Sequence, residues 1–294
     1  MFRLFFLARS HGLRIFVLVA LCTALAFAQA LVADSQPAAS ADADADGFSL
    51  PIVMYHGISE DPTAWGDYVI SPSQFEADLM YLQQAGYTTV TMADLIAYVD
   101  EGVPLPARAV MLTFDDGYYN NYRYAYPLLQ QYGMRAVISP IARWSEFYSD
   151  NVGQQDRPAY SHITWEQMRQ MTADGTVEIQ CHSYDMHHND VAHRKGASRR
   201  SGETAEEYRA ALQQDITHAL ELLRDEAGIS PTTFTYPFGA ISKQTDEVLR
   251  EMGFRATLGC ESRMNHITRD ADCLYRLGRF LRPHRMAGLA DILE

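Results

Sequence analysis

The chain has 294 residues, 47% of them hydrophobic, which suffices for one sizeable core in a single barrel-sized domain. Its formal net charge of −13 argues against nucleic acid and anionic membrane surfaces as partners. Neutral sugars stay open, and a ligand carrying amines would suit the charge.

Arg3, Arg9 and Arg14 precede an apolar run from Ile15 to Ala28, with small-residue cleavage geometry at Ala26-Phe27-Ala28 or Ala28-Gln29-Ala30. The run falls short of the ~20 residues a bilayer span requires, so residues 1–30 read as a secretory signal peptide, or as an anchor if left uncleaved. An exported location follows: periplasmic, extracellular or cell-surface, with membrane contact only through such an anchor. Cys22 follows Leu21 rather than a small residue, which argues against a lipoprotein site. Residues 31–47 are rich in Ala, Asp, Ser, Gln and Pro and read as a flexible linker. Beyond the leader stand Cys181, Cys260 and Cys273, an odd number for an exported chain. Cys260 with Cys273 is the expected bridge, and Cys181 is expected to pack as a small buried residue.

The folded part begins near Phe48. Pro51–Tyr55 has a strand pattern and ends at His56-Gly57. Ser71 caps a helix that starts at Pro72, buries Phe75, Leu79 and Leu82, and stops at Gly86. A strand at Tyr87–Val90 and a helix from about Ala93 to Val99 follow. Val110–Phe114 is a buried strand that runs into Asp115-Asp116-Gly117. A helix around Tyr124–Gln131, a strand at Ala136–Ser139 and a helix opened by Thr164 and Gln167 come next. Val177–Cys181 is a strand with His182 at its tip, and the longest helix runs from about Thr204 to Glu226. Phe234–Tyr236 is a strand closed by Pro237-Phe238-Gly239, then come a helix over Ser242–Met252 and a strand at Phe254–Leu258. Strands alternating with helices predict an α/β fold on a parallel sheet, closed or nearly closed into a barrel. A doubly wound open sheet is the alternative, without a glycine-rich phosphate turn to support it.

The polar motifs recur at strand ends, where α/β barrels place their chemistry. Asp115 and Asp116 are neighbours at a strand tip, so one can bind a metal while the other faces the reacting atom. His182 and His187 lie five apart. On a helix they would stand ~140° apart, so their convergence requires a loop. Two imidazoles and one carboxylate leave positions open for water, as a hydrolytic metal site needs. His188 is a rival for the second imidazole.

Thr113-Phe114-Asp115-Asp116-Gly117, then His182-Ser183 with His187, resembles the NodB-like polysaccharide deacetylases of carbohydrate esterase family 4. The likeness covers most of Phe48 to about Phe280 and is greatest to the exported poly-N-acetylglucosamine deacetylase branch, where Met54-Tyr55-His56 matches an early histidine motif. The resemblance implies a distorted (β/α) barrel over residues 48–294. It implies an N-acetylated polysaccharide substrate, probed first with β-1,6-linked N-acetylglucosamine, and a divalent metal on Asp116, His182 and His187: zinc first, cobalt or nickel otherwise. Asp115 becomes the general base, His56 the acid that protonates the departing amine, and Phe238 with Tyr236 the oxyanion and substrate contacts. Peptidoglycan or chitooligosaccharide deacetylation, carbohydrate O-acetyl ester hydrolysis, and a non-catalytic carbohydrate-binding protein on the same fold are the alternatives.

One departure bears on catalysis. Thr235 stands where the family often has an arginine that orients the base. Arg276 and Arg279 are the candidates to replace it, although a helix-surface or loop role is the plainer expectation for both. Most of Tyr118, Tyr119, Tyr122, Tyr124 and Tyr126 are expected to pack, Trp65 and Trp144 to lie in loops that could line a groove, and the basic stretch His188–Gly202 to be surface.

Overall fold

The computed structural model describes residues 47–151, 153, 160–189 and 193–294, all within the compact unit Asp42–Glu294. The expected leader and linker therefore lie outside the described residues, save Gly47. Among the described residues no helix is long and apolar enough to cross a membrane.

Seven parallel strands form the frame: β1 (Ile52–Tyr55), β2 (Ala109–Asp116), β3 (Ala136–Pro140), β4 (Val177–Ile179), β5 (Thr233–Thr235), β6 (Ala256–Leu258) and β7 (Phe280–Leu281). Ladders join β7, β1, β2, β3 and β4 in that order, and β5 to β6. Single bridges complete the circuit: Cys181 pairs Phe234 beyond β4, and Leu258 pairs Leu277 ahead of β7. The sheet thus closes into a distorted barrel, and the open-sheet alternative falls. Two antiparallel strands, Phe48–Leu50 and Asn265–Ile267, lie outside the circuit.

Helices α1 (Pro72–Gln84), α2 (Met92–Glu101), α3 (Tyr126–Tyr132), α4 (Ala142–Asp150), α5 (Trp165–Ala173), α6 (Ala205–Ala227) and α7 (Thr245–Glu251) fill the connections. Ser71, Thr91, Thr164 and Thr204 each close a capping box at a helix start, an arrangement in which the cap alone stabilises by about 1 kcal/mol. Helix α4 has no counterpart in the sequence reading, which placed Trp144 in a loop. Its buried residues are only Ala142 and Ser145, so no hydrophobic stripe announces it. A π-helical turn over Asn121–Ala125 precedes α3 and escapes a search for 3.6-residue periodicity.

All eight residues of β2 are buried, yet its two faces differ. Val110, Leu112 and Phe114 pack in one cluster with residues of α1, α3, α5 and α6, whereas Met111 joins Ile52, Val137 and Leu258 in another with α2. The period of two puts Thr113 and Asp115 on the Met111 face, inside the barrel. There Thr113 bonds the Val53 carbonyl, and Ser139 bonds the Thr235 hydroxyl at 2.7 Å. The barrel is therefore apolar at one end and polar at the end where the strands finish.

Candidate metal and catalytic site

Register brings the polar groups level. Tyr55 pairs Phe114, so His56 emerges beside Asp115, and Asp116 pairs Pro140 of β3. Asp116 itself takes a left-handed conformation (φ 68°), which turns its carboxylate out of the strand's alternation. Such a residue stores on the order of 1–3 kcal/mol of strain, typical of a functional position. Gly117 continues the turn at φ 70°; a Cβ there would meet the Cα of Pro140 at 2.8 Å.

Asp116, His182 and His187 converge, with one ligand atom from each within 4.8 Å of the others. Asp116 Oδ1 is 3.5 Å from His182 Nε2 and 3.2 Å from His187 Nε2. The Thr235 carbonyl, 2.8 Å from His182 Nδ1, can only accept, so Nδ1 carries the proton and Nε2 offers its lone pair. Asp116 Oδ1 is buried without a hydrogen-bond partner. Acceptors that meet where no donor stands fit a cation. His188 instead contacts Asp185 at 3.2 Å and stacks on His193, so it is not part of the cluster.

Asp115 faces the other way. Arg279, fully buried, grips it with two bonds of 2.6 and 2.7 Å and donates to the Gly259 carbonyl as well. Arg279 thus stands where Thr235 left a gap. The surface role expected for it is wrong, whereas Arg276 is half-exposed and pairs with Asp246. Just ahead of Arg279 the chain packs too closely for a side chain: a Cβ at Gly278 would strike Arg263 Cγ and meet the Glu261 carbonyl oxygen at 2.8 Å. Burial alone would raise the Asp115 carboxyl, but the Arg279 guanidinium, with smaller pulls from His182 and His56, turns the net shift downward. His56 Nε2 is 4.0 Å from Asp115 Oδ2, and burial lowers its imidazole. Burial does the same to His187. Asn121 from the π turn donates to the His56 carbonyl at 2.7 Å and fixes that loop.

These groups open on one cavity of about 550 Å³. Phe238 forms part of its wall at φ 58°, its ring 4.2 Å from that of His187. Tyr236 does not line it: the side chain is buried and its hydroxyl bonds Asp246, so the expected substrate contact is absent there. Reasoning from sequence missed Tyr68, 4.8 Å from the His56 ring, and passed over Tyr118 among the packing tyrosines. Neither Trp65 nor Trp144 is among the wall residues. Cys260 is on the wall near Arg279 and Cys273 contacts the Thr268 carbonyl, so the expected bridge is not formed, while Cys181 is buried as expected. In the basic stretch Arg194 pairs with Glu203 with both side chains mostly buried, rather than projecting into solvent. Residues 190–192 of that stretch lie outside the described residues.

A two-histidine, one-carboxylate cluster that could hold a metal ion, beside an arginine-held carboxylate at the strand ends of a barrel, is an arrangement suited to a hydrolase. Residues 102–257 match the family described as Polysaccharide deacetylase, and the chain belongs to that family of hydrolases. It is 27% identical over 227 residues to the poly-beta-1,6-N-acetyl-D-glucosamine N-deacetylase of Escherichia coli K12, covering 71% of this chain. The match covers 34% of that protein, so this chain spans about a third of the relative's length. Among solved structures, IcaB from Ammonifex degensii superposes with a TM-score of 0.64 at 28% identity, covering 81% of this chain and 93% of IcaB. A de-N-acetylase from Aggregatibacter actinomycetemcomitans shares the fold, with a TM-score of 0.69 at 24% identity and coverage of 82% and 97%.

Proposed function

We propose that this protein removes N-acetyl groups from an N-acetylglucosamine polymer, poly-β-1,6-N-acetylglucosamine first, in a metal-dependent hydrolysis. The observation that carries the reading is the single cavity onto which Asp115, His56 and the three-residue cluster all open. The similarity to the E. coli deacetylase and to IcaB supports the choice of polymer. The arginine-flanked apolar leader supports export of residues 48–294 as the catalytic domain.

Asp116, His182 and His187 would hold the metal, zinc first and cobalt or nickel otherwise. When bound, such an ion supplies Lewis acidity toward the acetamide carbonyl and makes water easier to deprotonate. Asp115, kept ionised by Arg279, takes a proton from the attacking water. The backbone N–H of Phe238, at the cavity wall, holds the developing oxyanion. Burial lowers the His56 imidazole, which favours its neutral form at neutral pH, and at 4.0 Å from Asp115 it stands where a proton taken up from the site, by way of the attacking water, can be passed to the departing amine.

The test is acetate release from β-1,6-linked N-acetylglucosamine oligomers by chelated protein, before and after zinc, cobalt or nickel is returned. Release restored by metal is the expected result. Release only from chitin or peptidoglycan oligomers, or from acetylated xylan, would move the substrate and keep the chemistry. No release from any of them by metal-loaded protein would overturn the reading.

A further inference from the structure

A line of ring contacts, with buried His162 at its centre, runs from the wall of the catalytic cavity to the wall of a second cavity. Tyr118, on the catalytic wall, is 5.0 Å ring to ring from His162. His162 in turn stacks on Trp144 at 5.8 Å and on Tyr148 at 5.9 Å. Tyr148 is also a wall of a cavity of about 650 Å³, bordered by α4, α5 and α6.

Helix α4 is built inside out for a helix that only packs. It buries Ala142 and Ser145 and leaves Trp144 39% and Phe147 41% exposed. These exposed rings contact His162 and Tyr148 of that line and offer flat apolar faces of the kind a pyranose ring covers. The second cavity carries Glu146, Asp150, Glu166 and Glu226 against the single guanidinium of Arg169. Arg169 pairs with Glu166, and Asp150 and Glu226 stand exposed at the rim.

We propose that this aromatic path and its cavity form a remote subsite for the same polysaccharide, taking units that have already lost their acetyl groups. The inference rests on the N-deacetylase reading of the catalytic cavity. An N-acetylglucosamine unit is neutral, whereas a deacetylated one carries an ammonium that carboxylates at the rim can pair. The ring faces are neutral to this difference and the carboxylates are not, so the path supplies chain-length preference and the cavity supplies preference for free amines. A chain already deacetylated on one side would then be held while its next acetylated unit enters the catalytic cavity.

The experiment compares three β-1,6-linked substrates, an acetylated disaccharide, a fully acetylated hexamer and a hexamer with free amines at one end, on the parent protein, on Trp144→Ala and on Asp150→Asn/Glu226→Gln. Trp144→Ala is expected to lower kcat/KM on both hexamers, by up to about tenfold, and to leave the disaccharide unchanged. The double variant should erase the preference for the amine-bearing hexamer and keep the rate on the acetylated one. Calorimetric binding of a fully deacetylated hexamer supplies a readout independent of turnover, and both variants should weaken it. Normal acetate release with that hexamer bound equally by all three proteins, or by none, overturns the subsite. Binding weakened by both variants without acetate release from any substrate overturns the deacetylase reading and leaves the subsite standing.

Discussion

Arg279 and Arg282 flank the last barrel strand, each buried and each holding one aspartate with two bonds. Arg282 grips Asp78 of α1 at 2.9 and 3.1 Å, and Tyr55 donates to the same carboxylate at 3.1 Å. Burial dominates there and raises the Asp78 carboxyl, because the bonds are longer and no imidazole faces it. At Asp115 the bonds are shorter, His182 and His56 add their pull, and the net shift is downward. One pair fastens α1 to the C-terminal strand; the other holds an ionised carboxylate at the edge of a cavity. The chemistry of an arginine–aspartate pair is the same in both, and the surroundings decide whether it acts as a clasp or as a poised base.

The largest expected effect separates the two aspartates at the barrel mouth. Asp115→Asn should lower kcat for acetate release by roughly 10²- to 10⁴-fold, the span of general-base catalysis, with metal content unchanged by elemental analysis. Loss of metal in that variant would show that Asp115 shares the ligand role of Asp116. Next, Arg279→Met and Arg282→Met should each destabilise by about 3–5 kcal/mol in urea unfolding, since either leaves a buried carboxylate unpaired. The two variants should part in their pH–rate profiles. Without Arg279 burial is opposed only by the weaker pull of His182 and His56, so the acid limb should move to higher pH, whereas Arg282→Met should leave that limb in place. An identical profile for both would remove the distinction between clasp and base.

The smallest effect lies in the pH dependence of stability. Asp115 has a lowered folded pKa, so its contribution is present above the unfolded carboxylate value and is lost as pH falls through the folded one. Asp78 has a raised folded pKa, so its contribution is present below the ordinary carboxylate value of 3.8 and is lost as pH rises through the folded value. Urea midpoints measured from that value upward should fall less steeply with pH in Asp78→Asn than in the parent. Parallel curves would show that the Arg282 bonds cancel burial, and a parent curve rising relative to the variant would show that they outweigh it.

Much of the architecture is legible in the chain. The capping residues Ser71 and Thr164, the stripe Phe75, Leu79 and Leu82, and the run ahead of Asp115 give helices and strands close to their observed bounds. Such signals are local and repeat within a turn or a pleat. Helix α4 and the π turn before α3 were not legible, because one buries only small residues and the other breaks the helical period.

The site divides the same way. Sequence alone determined the chemical cast: Asp115, Asp116, His182 and His187 stand at strand ends or in the loop just beyond, and the residue types suit a metal and a base. Only the tertiary structure decided that His187 rather than His188 joins the cluster, that the Thr235 carbonyl sets the His182 tautomer, and that Arg279 holds Asp115. It also decided that Tyr236 turns to Asp246 and that Cys260 and Cys273 stay apart. Those outcomes depend on contacts that neighbouring residues do not make, from Thr235 with His182, 53 residues apart, to Arg279 with Asp115, 164 apart, and on the closure of the barrel at Leu277. Local pattern carries no record of which distant backbone will pass close by, so the partner of a buried charge is settled only when the strands meet.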